Sequence, residues 1–575
     1  MRLKISKSKN AASLYVIKDI TVNNKRTTKI VEKLGTVKEL ESKLNGEDPI
    51  EWAKSYIDML NKKEKKQTRD VIVKYSQSKL ISKNVQRSFN GGYLFLQQIY
   101  HQLGMHKICK TISDNYKFSY NLNSILSRLI YGRILFPSSK LNTYQESKKL
   151  LEQPDFELHH VYRALEVIAK ETDFIQSELY KNSLSISKRN DQILYYDCTN
   201  YFFEIEEADG LKQYGVSKEN RPNPLIEMGL FMDGDGIPLA FNIHSGNTNE
   251  QTTLKPLEEK ILKDFELARF VVCTDAGLSS TSNRKFNNKQ GRSFITTQSI
   301  KKLKGHLKEW ALDPSGWNLT GRKGSYNISI LEEDEAAYEK YKSETFYKER
   351  WINENGLEQK LIVTYSLKYR DYQRQIRNKQ LDRASKQVEQ NPTSINKRKQ
   401  NDPKRFITST NVTKDGEVAN KVVHSINTEA VKKEEMYDGF YAVCTNLEDE
   451  ASTIIKINQK RWKIEECFRI LKYDFKSRPV YLSRDDRITA HFTTCFLALT
   501  VYRYLEKRLN ERFTCDEIIS NLKDLNFKYV PHAGYIPTYT RNDFTDALHE
   551  SFEFRTDHEI VSEKKMKKIF KDTKK

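Results

Sequence analysis

Ile193-Leu-Tyr-Tyr-Asp-Cys-Thr-Asn-Tyr-Phe-Phe203 is a mostly apolar, aromatic-rich run whose length predicts a β-strand buried on both faces. Asp197 is out of keeping with the rest of it, because aspartate is disfavoured in strands and costly to bury without a partner. Downstream, Leu225–Met232 and Ile237–His244 flank Asp233-Gly-Asp235-Gly236, a strong hairpin-turn pattern. A helix-length stretch from Glu250 to Asp264 then leads to Phe270-Val-Val-Cys-Thr-Asp-Ala-Gly277, a second buried strand with Asp275 at its carboxyl end. Another helix-length stretch, ending near Gly291, precedes Ser293–Thr297. Three meandering strands followed by βαβ units predict a mixed α/β sheet, in which functional groups collect at the carboxyl ends of strands.

The flanking sequence has a different texture. Residues 1–85 read as a small β-containing unit, with alternating runs Ser13–Thr21 and Thr27–Leu34 around a turn favoured by Asn23–Asn24. The lysine-rich Asn61–Lys66 that follows suits a solvated helix face. Residues 86–190 turn helical: Tyr93, Leu96, Ile99, Tyr100 and Leu103 recur at helical spacing, as do Leu122, Ile125, Leu126, Leu129 and Ile130. Pro137 ends the second of these helices, and His160–Leu184 supplies another. A basic helical module here suits DNA recognition and equally suits a scaffolding bundle. Residues 191–298 hold the first part of the sheet, and 299–438 read as a β-containing insertion. Within it, Lys368–Arg405 carries twelve Lys or Arg against four Asp or Glu. Sheet character returns at Gly439–Thr445 in a second core segment, 439–510, and 511–575 form a C-terminal region ending in the basic tail Lys564–Lys575.

Composition narrows the class. The 575 residues, at roughly 150 per domain, suggest about three or four folding units. Aromatics at 11% are too frequent for a disordered chain. The longest apolar stretch, His491–Leu505, is too short for a membrane span, and no apolar run after the charged N-terminus marks a secretory leader. Seven scattered cysteines without a Cys-x-x-Cys pair argue against disulfides and structural zinc and fit a reducing cytosol. A net charge of +20 makes a polyanion the natural partner, DNA or RNA first.

The chemistry rests on acids. Either Asp197 or Asp275 alone reads as a cap or a buried hydrogen-bond acceptor. Together on neighbouring strands they repel unless a cation lies between them, and carboxylate oxygens suit Mg²⁺ or Mn²⁺. A third acid comes from Ile457-Asn-Gln-Lys-Arg-Trp-Lys-Ile-Glu-Glu-Cys-Phe-Arg-Ile-Leu-Lys472. At about 100° per residue, Asn458, Arg461, Glu465 and Lys472 share one polar stripe beside an apolar stripe of Ile464, Cys467, Phe468 and Leu471. The apolar stripe would pack on the sheet and hold Glu465 at its border, while Glu466 points away. Arg461 and Lys472 also read as ordinary helix salt-bridge partners of a carboxylate.

Taken in order, Tyr195–Thr199, Gly246–Glu250, Val272–Gly277, Arg461–Lys472 and Arg478–Tyr481 make the chain resemble bacterial insertion-sequence transposases of the DDE class, in the group marked by Tyr-x2-Arg-x3-Glu-x6-Lys. The resemblance is clear from about Tyr195 to Leu505. It implies an RNase H-like mixed sheet with helices on both faces, interrupted by the insertion and preceded by a helical DNA-binding region. It also implies that Asp197, Asp275 and Glu465 form the catalytic triad and hold two Mg²⁺ ions (Mn²⁺ as an alternative). Arg461 and Lys472 match the positions that grip DNA backbone, and Asn458 stands where the signature has tyrosine. The implied activity is cleavage at insertion-sequence ends followed by strand transfer into target DNA, with terminal inverted repeats and target duplex as partners. A homodimer in the synaptic complex and a cytoplasmic, nucleoid-associated location follow from the same resemblance. Two other readings stand beside it: a metal-dependent endonuclease without strand transfer, and a non-catalytic DNA-binding protein of the same fold.

Overall fold

The computed structural model describes residues 1–7, 11–22, 25–44, 46–67, 71–73, 75–390, 402–412 and 421–575. It divides into two compact units, 1–85 and 86–575. In the first, strands Arg2–Lys7, Ala12–Val22 and Lys25–Thr36 form an antiparallel sheet, and helices Val37–Lys43 and Pro49–Gln67 follow. Thr36 and Glu39 build a reciprocal capping box that starts the first of these helices. The turn expected at Asn23–Asn24 lies outside the described residues, as do the side chains of the lysine-rich run from Lys63 on.

The second unit is organised by a ten-stranded mixed sheet. Its strands are β1 (Ile193–Phe202), β2 (Leu225–Asp233), β3 (Pro238–Ser245), β4 (Val271–Thr274), β5 (Ser293–Thr297), β6 (Trp317–Leu319), β7 (Arg322–Tyr326), β8 (Phe346–Glu354), β9 (Leu357–Tyr365) and β10 (Phe440–Thr445). They lie in the order β7-β6-β8-β9-β10-β5-β4-β1-β2-β3. The meander and crossovers predicted from sequence are present: β1–β2–β3 run antiparallel, while β4 is parallel to both β1 and β5. β1 is covered on both faces, with Tyr195 and Tyr201 in one apolar core and Leu194, Tyr196 and Cys198 in another, which is why its sequence is a nearly continuous apolar run rather than an alternating one.

Strands from the segment read as an insertion extend this same sheet. β9 pairs with β10, and β8, β6 and β7 add outward from it over a separate apolar core around Trp317, Phe346 and Leu361. The basic run of that segment folds as helix Leu367–Gln390, with residues 391–401 outside the described part.

The helical region does not stand alone either. Its helices (among them Tyr93–Gln102, Leu122–Leu135 and Leu158–Lys170) share one apolar core with helix Asp485–Arg508 and the sheet. Helix Asp485–Arg508 is buried on nearly every side from Ile488 to Leu505, so it requires partners all round and draws the helical region in. His160–Leu184 proves to be two helices, Leu158–Lys170 and Thr172–Ser183, separated at Glu171. The basic tail is a docked helix rather than a solvated end: in Glu563–Asp572, Met566 and Ile569 are buried, and Thr573 accepts a hydrogen bond from Gln97 at 2.9 Å. Periodicity along this stretch was masked by its lysines, whose stems cover apolar surface. All seven cysteines are buried and free. Among the described residues no helix is long and apolar enough to cross a membrane.

Candidate active site

The register Tyr195↔Cys273 between parallel β1 and β4, continued by two residues, sets Asp197 beside Asp275. The sheet thus brings together two acids 78 residues apart in the sequence. The backbone N–H of Cys198 donates to Asp197 Oδ1 at 2.8 Å, and that of Leu278 to Asp275 Oδ1 at 3.0 Å. Asp197 sits in a recess. Loss of water around it pushes its carboxyl up to about 6, against the pull of Lys218 and with the repulsion of Asp275 adding to the rise.

Two cations face this pair. Lys218 feels Asp197 directly, pairs with Glu250 at 2.8 Å and donates to the Cys198 carbonyl at 2.6 Å. Arg461 interacts electrostatically with Asp197, Asp275 and Glu465, and its guanidinium lies 3.2 Å from Glu465 Oε1. Behind Lys218, Glu227 is buried on β2. Desolvation first, and then the neighbouring Glu250, push its carboxyl up to about 8.

The segment carrying Glu465 departs from the single straight helix predicted. Helix Ala451–Gln459 ends, the chain turns at Lys460–Arg461, helix Trp462–Arg469 begins, and a π-turn covers Ile470–Asp474. The apolar stripe is as expected: Ile464, Cys467, Phe468 and Leu471 are all buried, and the helix lies against β1. A π-turn spends an extra residue per turn, so Lys472 drifts away from the Arg461 stripe. Its ammonium lies 3.5 Å from Glu219 and 5.4 Å from the centre of the Tyr201 ring. Asn458 falls before the break and is buried, donating to the Tyr441 hydroxyl at 3.3 Å and accepting from the Cys273 thiol at 3.7 Å. Its amide is therefore occupied within the fold. A cleft of about 330 Å³ opens beside it, lined by Tyr369, Tyr441, Arg461, Trp462 and Glu465. Trp462 is exposed in this cleft, whereas Trp317 is fully buried and donates to the Asp313 carbonyl.

Glu465 itself is exposed and held by Arg461. Among the described residues no three His, Cys, Asp or Glu side chains stand together as a group that could hold a metal. The structure therefore brings Asp197 and Asp275 together, and links Glu465 to them through Arg461 rather than directly. As a donor set the two strand carboxylates suit a hard divalent cation: both offer oxygen, and their mutual repulsion is offset by one backbone N–H each and by the side-chain cations Lys218 and Arg461.

Residues 203–501 match the family model described as Transposase DDE domain. The chain belongs to the DDE transposase family. By class it is a polynucleotidyl transferase and endonuclease. The match spans Asp275, Arg461, Glu465 and Lys472 and begins just beyond Asp197. No curated protein matches the chain. A solved chain from a cryo-EM structure of the piggyBac transposase synaptic complex with hairpin DNA is similar over 77% of this chain and 80% of that chain, with a TM-score of 0.36 and 8% identity.

Sequence reasoning about this transposase missed Lys218, Glu219 and Tyr441. The first two lie in the β1–β2 connection, within Ser217-Lys-Glu-Asn-Arg221, where nothing periodic separates them from ordinary loop charges. Tyr441 lies on β10, whose partner strands could not be known in advance. Glu250 is drawn to the same place by its pair with Lys218.

Proposed function

We propose that this protein is a cut-and-paste transposase of the insertion-sequence type, in the group whose signature is carried here by Arg461, Glu465 and Lys472. The observation that carries the reading is the adjacency of Asp197 and Asp275 on parallel neighbouring strands with Arg461 beside both. Asp197, Asp275 and Glu465 would hold Mg²⁺. When bound, the metal activates an attacking oxygen and stabilises the leaving one in an in-line displacement. The chain's own residues do the rest. Arg461, with its fork of donors, takes a phosphate of the cut strand, and a phosphate that engages Arg461 frees the Glu465 carboxylate it now occupies. Lys472 supplies a point charge farther along the backbone. Asn458, buried against Tyr441, positions that hydroxyl at the cleft wall. Residues 86–190 would contribute to end recognition, 299–438 to holding DNA across the sheet's outer strands, and a homodimer would pair two ends. The chain would act in the bacterial cytoplasm on nucleoid DNA.

The test is incubation of the purified protein with Mg²⁺ and DNA bearing the inverted repeats that flank its gene. Cleaved ends joined through their 3′-hydroxyls to a target plasmid are the expected product. Cleavage without joining would favour an endonuclease, and neither reaction would leave a binding protein.

Two further results follow. Glu465→Gln should lower cleavage about a hundredfold through lost charge at the site, whereas Glu466→Gln should leave it within about twofold. Glu466 instead pairs at 2.8 Å with the nearly buried Arg503, which also holds Glu506. Its loss should appear in thermal melting, as about 1–2 kcal/mol. The reverse order in cleavage would remove Glu465 from the site. In addition, duplex affinity should fall steeply with salt, by tenfold or more between roughly 50 and 200 mM KCl, because each phosphate contact releases counterions. A flat titration would contradict phosphate binding.

A further inference from the structure

Away from the acids, a cavity of about 530 Å³ opens between the helical region and the segment that follows Lys472. Arg133, Lys140, Lys476 and Arg478 line it, and no Asp or Glu is among its described lining residues. Arg478 is paired with Glu219, which does not line the cavity. Lys140 and Arg133 are different. Each is more than nine-tenths buried, and neither has an ion-pair partner among the described residues. The Arg133 guanidinium donates to the carbonyls of Phe475, Lys476 and Ser138, while its Nε is buried without a partner.

Lys140 Nζ lies 3.4 Å from His491 Nδ1. His491 Nε2 lies 2.9 Å from the Ser477 carbonyl, so Nε2 carries the proton and Nδ1 accepts from the ammonium. One neutral acceptor does not compensate a buried ammonium. Burial, with Arg133 adding repulsion, pushes Lys140 down to about 7. Lys140 also opens the eight-residue helix Lys140–Ser147, whose start is capped by the Ser139 hydroxyl accepting from the Asn142 N–H at 3.2 Å. Ser139 and Lys140, at the positive end of that helix, both line the cavity.

We propose that this cavity is a phosphate seat, in which Lys140, Arg133, Lys476 and the start of helix Lys140–Ser147 hold one phosphate group. The chemistry would be met by a DNA backbone phosphate or by a free phosphate. The DNA source rests on the transposase reading; the phosphate seat itself does not. Nothing in the catalytic arrangement accounts for two desolvated cations at this position, whereas an anion between them would supply the missing counter-charge.

Both sources can be tested with the full chain in EDTA, where cleavage plays no part. Inorganic phosphate should raise the melting temperature above that in chloride at matched ionic strength, and Lys140→Met should abolish the rise. Lys476→Asn guards against misfolding of the first variant, since Lys476 is exposed and its left-handed backbone (φ 44°) tolerates asparagine. It should weaken the rise while circular dichroism stays native. With a fluorescein-labelled duplex, both variants should bind about tenfold more weakly, with a salt slope smaller by about one. Loss in both arms supports the seat with DNA as its occupant. Loss in the phosphate arm alone supports the seat with free phosphate as its occupant, whatever becomes of the transposase assignment. If Lys476→Asn matches the wild type in both arms, or if phosphate gives no rise over chloride, the proposal is overturned.

Discussion

Asp197→Ala should remove Mg²⁺-dependent cleavage by about a thousandfold or more while leaving duplex affinity within about twofold, since an interaction confined to the reacting centre is worth several kcal/mol. The asymmetry follows from its position. Asp197 lies in the recess between β1 and β4 beside Asp275, whereas the cations that would grip DNA are on other elements. A stability readout separates a catalytic role from a structural one. The carboxyl is raised to about 6 in the folded chain, against about 3.9 unfolded, so its ionisation opposes folding. That opposition is absent below the unfolded value and complete above pH 6. In EDTA the alanine variant should therefore melt slightly higher than the wild type at pH 8, with the difference vanishing near pH 4. A variant that cleaves normally would defeat the assignment. One that is inactive but melts far lower at pH 8 would show that the acid serves the fold.

How much of this was legible in the sequence differs from element to element. β1 and β4 were readable because strands buried on both faces leave continuous apolar runs, and the two aspartates broke those runs visibly. The stripe Ile464–Cys467–Phe468–Leu471 was readable from its period alone. The break at Lys460–Arg461 and the π-turn at Ile470–Asp474 were not, because a constant angle per residue assumes one regular helix. That is why Asn458 and Lys472, placed on the Arg461 stripe by arithmetic, stand elsewhere: one buried against Tyr441, the other beside Glu219. The outer strands β6–β9 were legible only as a β-containing segment, and nothing local states which sheet edge a strand will join. Lys218 and Glu219 had no pattern at all. Their meaning comes from partners more than thirty residues (Glu250) and about 250 residues (Lys472) away along the chain.

The hairpin at Asp233–Gly236 carries the largest stability effect. Its pattern was read correctly as a turn: β2 and β3 are antiparallel, and Gly236 takes the left-handed backbone, φ 88°, that a side chain would strain. An ordinary turn aspartate is exposed and dispensable, but Asp233 is fully buried. Its Oδ1 accepts from the backbone N–H groups of Asp235 and Ile237, and its Oδ2 from Arg189 Nε at 2.7 Å. Arg189, also buried, spends its remaining donors on Ser183 Oγ and the carbonyls of Ile237 and Pro238. The pair thus fastens the end of the helical region to the sheet that bears Asp197. Asp233→Ala would strand the guanidinium without a counter-charge, and removing one partner of a buried pair costs about 3–5 kcal/mol. The measurement is the denaturation midpoint of the full chain, with Asp235→Ala as the comparison. Asp235 accepts from the Asn190 N–H at 3.1 Å and has no ion-pair partner among the described residues, so its loss should cost about 1 kcal/mol. The double variant Arg189→Met with Asp233→Leu should recover much of the deficit, because it removes both charges while keeping volume. If Asp233→Ala cost no more than Asp235→Ala, the ion pair would not be what joins helix to sheet, and the hairpin would be held by its backbone turn alone.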